Sequence, residues 1–260
     1  MEHDPLQKHY EQAFGQHVAA SRVDVALRLL EKSAHFKPGQ PVRALDIGGG
    51  DMRLGRLFAN RFAEQFGVQV ELEGWDVSEA GVQRAVAAGE KSRVQSICDE
   101  VPAEAAGQFD LVLFFEVLEH LVDTGAAVAN LRKLMKPDGW LLLSTPNLAG
   151  WIDRLSLLFG MQPHSMEVSF IPYRFGNPLI GRLLPHGPND VAAGHLRVFT
   201  LRALKEFLRW HGIRPVRVGG CVNHPFDFVS RLFAGWWPGL VGDVVVLGAP
   251  GIEERPCKRN

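Results

Sequence analysis

The chain has 260 residues, of which 46% are hydrophobic and 22% are charged, and its formal net charge is −1 with a pI near 6.8. A chain of this length and composition can bury one large core, so we expect a single domain. The near-zero net charge gives no general field that would attract nucleic acid or acidic lipid, which disfavours polyanionic partners.

The three cysteines, Cys98, Cys221 and Cys257, form neither a Cys-x-x-Cys pair nor an even set. A disulfide scaffold and a thiolate zinc site are therefore not indicated, and a reducing cytoplasm fits best. The first residues lack a basic region followed by an apolar one, and no apolar run reaches the ~18 residues needed to cross a bilayer. We expect a soluble, cytoplasmic protein without a transmembrane segment.

The N-terminal part carries apolar side chains at helical spacing over residues 5–33, which predicts one or two helices. Prolines within residues 37–41 then end the helix and lead the chain into a strand. We expect residues 1–41 to form a helical cap that packs on the sheet edge, and a lid is the alternative.

Residues 42–51, Val-Arg-Ala-Leu-Asp-Ile-Gly-Gly-Gly-Asp, predict a buried strand that runs into a glycine loop, with a helix following over residues 53–66. Three consecutive glycines let the backbone turn sharply and approach a ligand closely. A dinucleotide-binding loop would need a third glycine where Arg53 stands. The spacing therefore favours another nucleotide-type pocket, and a dinucleotide oxidoreductase stays an alternative.

Strand and helix patterns alternate as far as residue 144. We predict strands over residues 42–47, 68–76, 93–98, 109–115 and 140–144, and helices over residues 79–88 and 124–135, with a turn at 136–139. This alternation implies parallel strands with helices on both faces of the sheet. Ligands in such a sheet bind beyond the carboxyl ends of the strands.

Residues 148–195 lose this periodicity and are punctuated by five prolines, which predicts an irregular lid or substrate insertion over the pocket mouth. A helix over residues 200–210, with Thr200 as N-cap, and strands over 215–219 and 243–247 then close the domain within residues 196–250. Residues 251–260 form a tail. The aromatic stretch at 232–238 is predicted to pack on the sheet edge, and a membrane or homodimer contact is the alternative.

Four short motifs occur in order between residues 42 and 148. They are Asp-x-Gly-x-Gly at 46–50, Gly-Trp-Asp-Val-Ser at 74–78, Ile-Cys-Asp at 97–99 and Phe-Asp-Leu-Val at 109–112. This order resembles the class I S-adenosylmethionine (SAM) dependent methyltransferases. The resemblance implies an α/β, Rossmann-like doubly wound sheet of seven strands, the last one antiparallel, with residues 42–147 binding SAM. Met52 stands where the family usually has the third glycine of its loop.

The resemblance also implies roles for single residues. Asp76 would accept hydrogen bonds from the ribose hydroxyls, Asp99 would accept one from the adenine amino group, and Asp46 would face the methionine portion. The full set expected to contact the cofactor is Asp46, Gly48, Gly49, Gly50, Asp51, Asp76, Val77, Asp99 and Phe115. The plainer alternative is that Asp76 and Asp99 are strand-end acids that bond local backbone.

The segment Glu-Val-Leu-Glu-His at 116–120 directly follows the fourth predicted strand. On a helix, positions i, i+3 and i+4 share one face, so Glu116, Glu119 and His120 would converge. Two carboxylates beside an imidazole suit Mg²⁺ or Mn²⁺. The segment is similar to that of the ubiquinone-biosynthesis O-methyltransferases and of the small-RNA 3′-end 2′-O-methyltransferases.

In those RNA enzymes a further histidine downstream completes a metal site, and His195 looks like that residue. Ser-Thr-Pro-Asn at 144–147 also resembles them. One alternative is a metal site of Glu116, Glu119, His120 and His195. In the other there is no metal, the Glu-His pair caps a helix, and His120 or His195 is the candidate catalytic base.

Together these features predict a SAM-dependent O-methyltransferase that acts on a hydroxyl of a small molecule or cell-envelope sugar, and one hydroxyl of a vicinal pair is an option for this acceptor. An RNA 2′-O-methyltransferase is the second candidate, and the neutral pI with no evident basic domain argues against it. A SAM-binding regulatory protein without turnover is the candidate from another class.

Overall fold

In the computed structural model, residues 20–37, 39–171, 175–178, 194–222 and 228–252 are described. One sheet runs through them, and its strands are β1 (Val42–Ile47), β2 (Val70–Asp76), β3 (Lys91–Val94), β4 (Phe109–Phe115), β5 (Met135–Pro146), β6 (Ile213–Cys221) and β7 (Asp243–Pro250). The α-helices are α1 (Ala20–Glu31), α2 (Arg53–Phe66), α3 (Glu79–Ala87), α4 (Thr124–Leu134), α5 (Trp151–Leu158), α6 (Leu201–Trp210) and α7 (Phe228–Phe233).

The strand order is β3-β2-β1-β4-β5-β7-β6. Neighbours among β1 to β5 pair in parallel, whereas β7 is antiparallel to both β5 and β6. The central strands carry buried residues on both faces, as strands of a parallel sheet between two helical layers do. The predicted doubly wound, seven-stranded sheet with an antiparallel last strand is therefore confirmed.

Two cores lie on opposite faces of the sheet. On one face α1 and α2 pack against alternate residues of the strands, with Phe58 and Phe62 of α2 fully buried. On the other face α4 and α6 pack against the remaining strand residues, with Leu131 and Leu208 fully buried. Helices on both faces leave the strand ends open, and at their carboxyl ends a ligand can reach the loops.

Some predicted boundaries are wrong. The fifth strand begins at Met135, because Met135 pairs with Phe109 before the register shifts, so the predicted turn at 136–139 is a bulge within the strand. The third strand is Lys91–Val94 rather than 93–98, and a turn follows it. Residues 1–19 of the predicted helical cap lie outside the described residues. Helix α1 is the part of the cap that the structure describes.

The insertion at 148–195 contains helix α5, which the irregular sequence pattern did not indicate. Its base is closed by main-chain contacts, since the amide of Leu148 donates to the carbonyl of Phe199 at 2.9 Å and Asn147 forms a parallel bridge with Phe199. Residues 172–174 and 179–193 of the insertion lie outside the described residues.

The aromatic stretch near the C-terminus does not pack its rings on the sheet as predicted. Trp236 and Trp237 are 71% and 53% exposed, and their rings contact each other and Phe233 in tilted and edge-to-face arrangements. The contact with the sheet is made by the main chain, where the amide of Gly220 donates to the carbonyl of Ala234. Among the described residues, no helix has the length and apolar character needed to cross a membrane.

Candidate active site

The carboxyl ends of the parallel strands bring distant parts of the sequence to one edge of the sheet. Gly48 follows β1, Asp76 ends β2, Glu116 follows β4 and Asn147 follows β5. β7 runs the other way, so its first residue, Asp243, pairs with Pro146 at the same edge. All the predicted functional segments except the insertion therefore start from this edge.

The glycine loop needs glycine at several positions for different reasons. Gly48 and Gly50 have φ angles of 74° and 55°, which side chains rarely allow. A Cβ on Gly48 would lie 2.4 Å from a methyl of Val117, and a Cβ on Gly49 would lie 2.2 Å from the carboxylate of Asp46. The loop is thus packed tightly on both the Asp46 and the Val117 sides.

Met52 occupies the position where the resemblance expects a third glycine. Its φ angle is 60°, so it adopts the left-handed conformation that glycine adopts without strain. The side chain is buried and packs on β2, where a Cβ on Gly74 would lie 2.4 Å from the sulfur of Met52. The loop therefore keeps a glycine-like backbone, and Met52 adds core packing between α2 and β2.

Asp46 is buried beneath this loop, with its carboxylate against Gly49 and Gly55. Burial raises the pKa of Asp46 to about 7, and repulsion from Asp76 adds to this, whereas a hydrogen bond from the Gly55 amide opposes it. One carboxylate oxygen, Oδ2, has no hydrogen-bond donor among the described residues. Its contact with the methionine portion of a cofactor stays a prediction.

Asp76 holds the glycine loop to the start of α3. One carboxylate oxygen accepts from the Gly50 amide and the other from the Ser78 amide, each at 2.7 Å. Burial raises the pKa of Asp76, and these hydrogen bonds oppose the rise. Since each carboxylate oxygen has two lone pairs, Asp76 can accept further hydrogen bonds from ribose hydroxyls.

Asp99 lies beyond β3 in an exposed turn, not at the end of the strand as predicted. The amide group of Asn130, on α4, donates to the carbonyls of Ile97 and Asp99 at 2.8 and 2.7 Å. This buried asparagine fixes the turn, so the carboxylate of Asp99 projects from a defined backbone.

The other predicted cofactor residues have different surroundings. Val77 is half exposed beside Asp76, and Asp51 pairs with Arg53 at 2.8 Å. Phe115 is buried in the core beneath α1 and α2. Contacts of these residues with a cofactor stay predictions.

The backbone at Glu116 shows that residues 116–120 do not form the predicted helical turn. Glu116 has a φ angle of 55°, and only a short 3₁₀ turn, Leu118–His120, follows, so the three polar residues do not share a helical face. The Glu116 carboxylate instead accepts from Arg22 of α1 at 2.8 Å and from the Ser144 hydroxyl at 2.7 Å. It lies apart from the cluster that Glu119 forms with the two histidines.

Glu119 is fully buried, and its Oε2 accepts from the hydroxyl of Thr145 at 2.9 Å. Burial raises the pKa of Glu119 well above its ordinary range, and the charge of Glu116 adds to the effect. The other oxygen, Oε1, has no hydrogen-bond donor among the described residues. The backbone carbonyl of Glu119 accepts from the amides of Leu196 and Arg197 at 2.7 and 2.9 Å, which holds the end of the insertion beside it.

His120 and His195 complete a cluster with Glu119, in which one ligand atom from each residue lies within 4.8 Å of the others. The two ring centroids are 5.2 Å apart. The Nδ1 of His195 is 2.9 Å from the carbonyl of Ser165, and that of His120 is 3.3 Å from the carbonyl of Gly194. Because carbonyls only accept, each Nδ1 carries a proton, so in the neutral imidazoles each Nε2 carries the lone pair.

This donor set fits a divalent cation. Two imidazole nitrogens and a carboxylate oxygen suit Mn²⁺ better than Mg²⁺, which prefers oxygen ligands, and among the described residues the Oε1 atom of Glu119 has no donor that would compete for it. Metal-binding histidines commonly donate their other N–H to a backbone carbonyl, as both rings do here. The sequence prediction of convergence thus holds for Glu119, His120 and His195 and is wrong for Glu116.

Several residues of the site were missed by the sequence analysis. Ser144 and Thr145, noted only for a resemblance, hold the two carboxylates, and Arg22 neutralises Glu116 from a helix 94 positions earlier. A strand whose polar and apolar residues alternate has one face in solvent, and such a pattern would have drawn attention to the serine and threonine. Both side chains are instead fully buried, so no such pattern marks them. Nothing local in the sequence around Arg22 indicates its partner.

Comparisons with known proteins agree with the fold. A family described as a methyltransferase domain matches residues 12–218. The ubiquinone biosynthesis O-methyltransferase of Burkholderia orbicola (strain MC0-3) is 28% identical over 229 residues, covering 81% of this chain and 87% of that protein. That of Burkholderia pseudomallei (strain K96243) is 27% identical over 202 residues, covering 77% and 75%.

Solved structures share the fold at lower identity. The 1,6-didemethyltoxoflavin-N1-methyltransferase of Burkholderia thailandensis, with bound S-adenosylhomocysteine, has a TM-score of 0.51 and 18% identity over 90% of this chain and 79% of that one. A TehB-like SAM-dependent methyltransferase of Corynebacterium glutamicum has a TM-score of 0.52 and 13% identity over 94% and 97%.

Proposed function

Because the chain belongs to the methyltransferase domain family and is a SAM-dependent methyltransferase, we propose that it methylates a hydroxyl of a small molecule or cell-envelope sugar, one of a vicinal pair. The observation that carries the proposal is the cluster of Glu119, His120 and His195 at the carboxyl edge, in which both imidazole Nε2 atoms carry lone pairs. The relatives named as O-methyltransferases support a hydroxyl as the acceptor group.

The cofactor half of the site is proposed to position the donor. SAM, when bound, supplies a methyl group that its sulfonium has already activated. Asp76 accepts hydrogen bonds from the ribose hydroxyls, Asp99 accepts one from the adenine amino group, and the backbone of Gly48 to Gly50 lies along the methionine portion. These contacts hold donor and acceptor in line, which is the main requirement of the reaction.

The acceptor half is proposed to prepare the hydroxyl. Glu119, His120 and His195 would hold a divalent cation, which lowers the pKa of a hydroxyl that it coordinates. Thr145 keeps the Glu119 carboxylate in place, and the two carbonyl contacts hold the Nδ1 side of each histidine ring. A vicinal diol suits such a site because its two oxygens reach one centre together.

The test is a methyl-transfer assay with catechol and vicinal-diol sugars as acceptors. We expect S-adenosylhomocysteine and one monomethylated product, loss of turnover in EDTA, and recovery with Mg²⁺ or Mn²⁺. Glu119→Gln should lower turnover by about two to three orders of magnitude, the size of losing one preorganised electrostatic contact, while SAM affinity stays near that of the wild type. Glu64→Gln, an exposed position on α2, is the matched control.

Each contrary outcome identifies a different error. SAM binding without turnover of any acceptor would indicate a binding protein, and methylation of RNA but not of diols would indicate the RNA alternative. Full turnover by EDTA-treated protein would show that no cation is needed, and His120 or His195 would then be the proton acceptor.

A further inference from the structure

Asp153 is a buried carboxylate on α5, within the insertion, that belongs to none of the sites described above. Its residue is 5% exposed. Oδ1 accepts from the amides of His164 and Ser165, at 2.5 and 3.4 Å, and Oδ2 accepts from the Ser165 hydroxyl. Burial raises the pKa of Asp153, and these hydrogen bonds oppose the rise. Both oxygens are therefore committed to one short stretch of backbone, residues 164–165.

That stretch contacts the catalytic cluster through its main chain. The Ser165 carbonyl is the group that accepts from Nδ1 of His195 at 2.9 Å. Asp153 thus holds the residue whose carbonyl sets which nitrogen of His195 is protonated. Asp153 itself is 42 positions from His195 in the sequence, and it is connected to that ring through Ser165.

The same loop holds the second imidazole. The carboxylate of Glu167 accepts from the Gly194 amide at 2.5 Å, and the Gly194 carbonyl accepts from Nδ1 of His120. Residues 164–167 therefore support both rings, one through Ser165 and one through Gly194. Asp153 is the buried group that ties this loop to helix α5.

We propose that Asp153 is a positioning residue: by holding the backbone of Ser165, it fixes His195 in the Nδ1-protonated tautomer, which leaves the lone pair on Nε2. The inference rests on the proposed function only in that His195 acts through Nε2. The tautomer itself is a property of the chain without any ligand. Removing Asp153 leaves the Ser165 carbonyl free to turn away, so the ring loses the contact that selects its tautomer.

A simpler role for Asp153 is to stabilise helix α5. It lies in the first turn, where a negative charge interacts favourably with the helix dipole, and the N-cap Gly150 provides no side-chain cap. That role would affect stability and leave the His195 ring unchanged. The experiment therefore needs a readout at the ring itself and a control on the same helix.

Ser156 provides the control. It is buried on α5, and its hydroxyl accepts from Asn177 at 3.1 Å, while Asn177 also donates to the carbonyl of Gln162 at 2.8 Å. Ser156→Ala therefore loosens the insertion from the same helix without touching Ser165. A general loss of order in the insertion would affect both variants equally.

The experiment measures histidine ring ¹⁵N shifts of the full chain without metal, at about pH 8.5, where imidazoles are neutral. His195→Gln assigns the His195 signals. We expect wild type and Ser156→Ala to show the Nδ1-protonated form of His195, and Asp153→Ala to show a mixture of tautomers. Asp153→Asn should largely restore the wild-type signals, because its amide oxygen still accepts from the two backbone amides.

Binding of Mn²⁺ gives an independent measure. Asp153→Ala should weaken Mn²⁺ binding about 10- to 100-fold, the usual effect of losing a group that orients a ligand, and should lower kcat with little change in the KM for SAM. Ser156→Ala should change neither. If wild type itself binds no Mn²⁺, the proposed cation is wrong, and the tautomer measurement still decides the role of Asp153.

The inference is overturned if His195 in folded Asp153→Ala keeps the wild-type tautomer, if Ser156→Ala disturbs the ring as much, or if Asp153→Asn behaves like Asp153→Ala. Should Asp153→Ala not fold, Asp153→Leu replaces it, because leucine has nearly the same size but accepts from neither backbone amide of residues 164 and 165. An unchanged His195 signal in folded Asp153→Leu would then overturn the inference.

Discussion

The glycine loop and the Glu119–His120–His195 cluster lie at the same edge of the sheet, but different kinds of contact hold them. The loop is fixed mainly within residues 46–78, where the Asp76 carboxylate accepts from the amides of Gly50 and Ser78. The cluster depends on groups much farther apart in the chain, because the Glu119 carbonyl accepts from the amides of Leu196 and Arg197, and Nδ1 of His120 contacts the carbonyl of Gly194.

Among the described residues, each region contains one buried carboxylate oxygen without a donor, and the two have different surroundings. Oδ2 of Asp46 is enclosed by glycines beneath the loop, whereas Oε1 of Glu119 faces His120, whose Nε2 is 3.9 Å away. We expect the enclosed carboxyl to affect stability through its proton, and we propose that the carboxyl beside the imidazoles binds a cation. Four measurements can break or sharpen this contrast.

The largest expected effect is the pH dependence that Asp46 gives to stability. In the unfolded chain Asp46 loses its proton near pH 3.8, whereas the folded chain keeps it until about pH 7. The folded state binds more protons between these values, so the free energy of unfolding falls as the pH rises through this window. The fall is at most ~1.4 kcal/mol per pH unit, or about 4 kcal/mol in total.

Urea unfolding of wild type, Asp46→Asn and the exposed control Asp138→Asn between pH 4 and 7.5 checks this. Asp46→Asn should make the fall of the free energy of unfolding with pH less steep, and Asp138→Asn should leave this fall as it is in the wild type. Parallel curves for wild type and Asp46→Asn would contradict the enclosed carboxyl.

The second effect concerns the long-range pair of Arg22 and Glu116, whose side chains are 15% and 23% exposed. Arg22→Met leaves the Glu116 carboxylate without its cation, so we expect a loss of about 2–3 kcal/mol, somewhat below the value for a fully buried pair. Adding Glu116→Gln should recover most of it, and Arg28→Met, exposed on the same helix, should cost little. Equal losses for Arg22→Met and Arg28→Met would show that the pair contributes nothing.

The third effect is on SAM binding. Asp76→Ala removes the acceptor proposed for the ribose hydroxyls, and calorimetry should show affinity weaker by about 1.5–3 kcal/mol. Ser78→Ala is the control, because it removes the cap of α3 but keeps the Asp76 carboxylate. Unchanged SAM affinity in folded Asp76→Ala would mean that the ribose hydroxyls do not bind Asp76.

The smallest effect is at Met52. Both Met52→Ala and Met52→Gly lose the buried side chain, but only alanine keeps a Cβ at a φ angle of 60°. We expect the glycine variant to be more stable than the alanine variant by about 1 kcal/mol in urea unfolding. The reverse order would mean that the loop relaxes out of the left-handed conformation.

The same contrast explains how far the sequence could predict the structure. The strand, glycine loop and Asp76 follow from spacing over some thirty residues, and their positions are as expected. The helical face of Glu116, Glu119 and His120 is wrong because helical spacing assumes a right-handed backbone, and Glu116 is left-handed. This conformation is fixed by tertiary contacts with Arg22 and Ser144, which no local pattern reports.

The proximity of His195 to Glu119 was suggested by the resemblance to the RNA methyltransferases and not by the spacing of residues in the sequence. It depends on two backbone amides donating to the carbonyl of Glu119, and main-chain contacts leave no signature in side-chain patterns. Asp153 was passed over for a related reason: its partners are backbone groups of residues 164 and 165.

The closed base of the insertion, where Leu148 meets Phe199, makes the segment between them an exchangeable module. The entropic cost of a flexible loop with joined ends rises only by about 0.6 kcal/mol for each doubling of its length. We therefore expect insertions of other lengths and compositions to be tolerated between residues 148 and 199, with the register of the sheet beneath kept, provided that they retain His195. If the insertion selects the acceptor, as we propose, acceptor preference would diversify by exchange of this one segment, and the residues proposed to hold the methyl donor would stay unchanged.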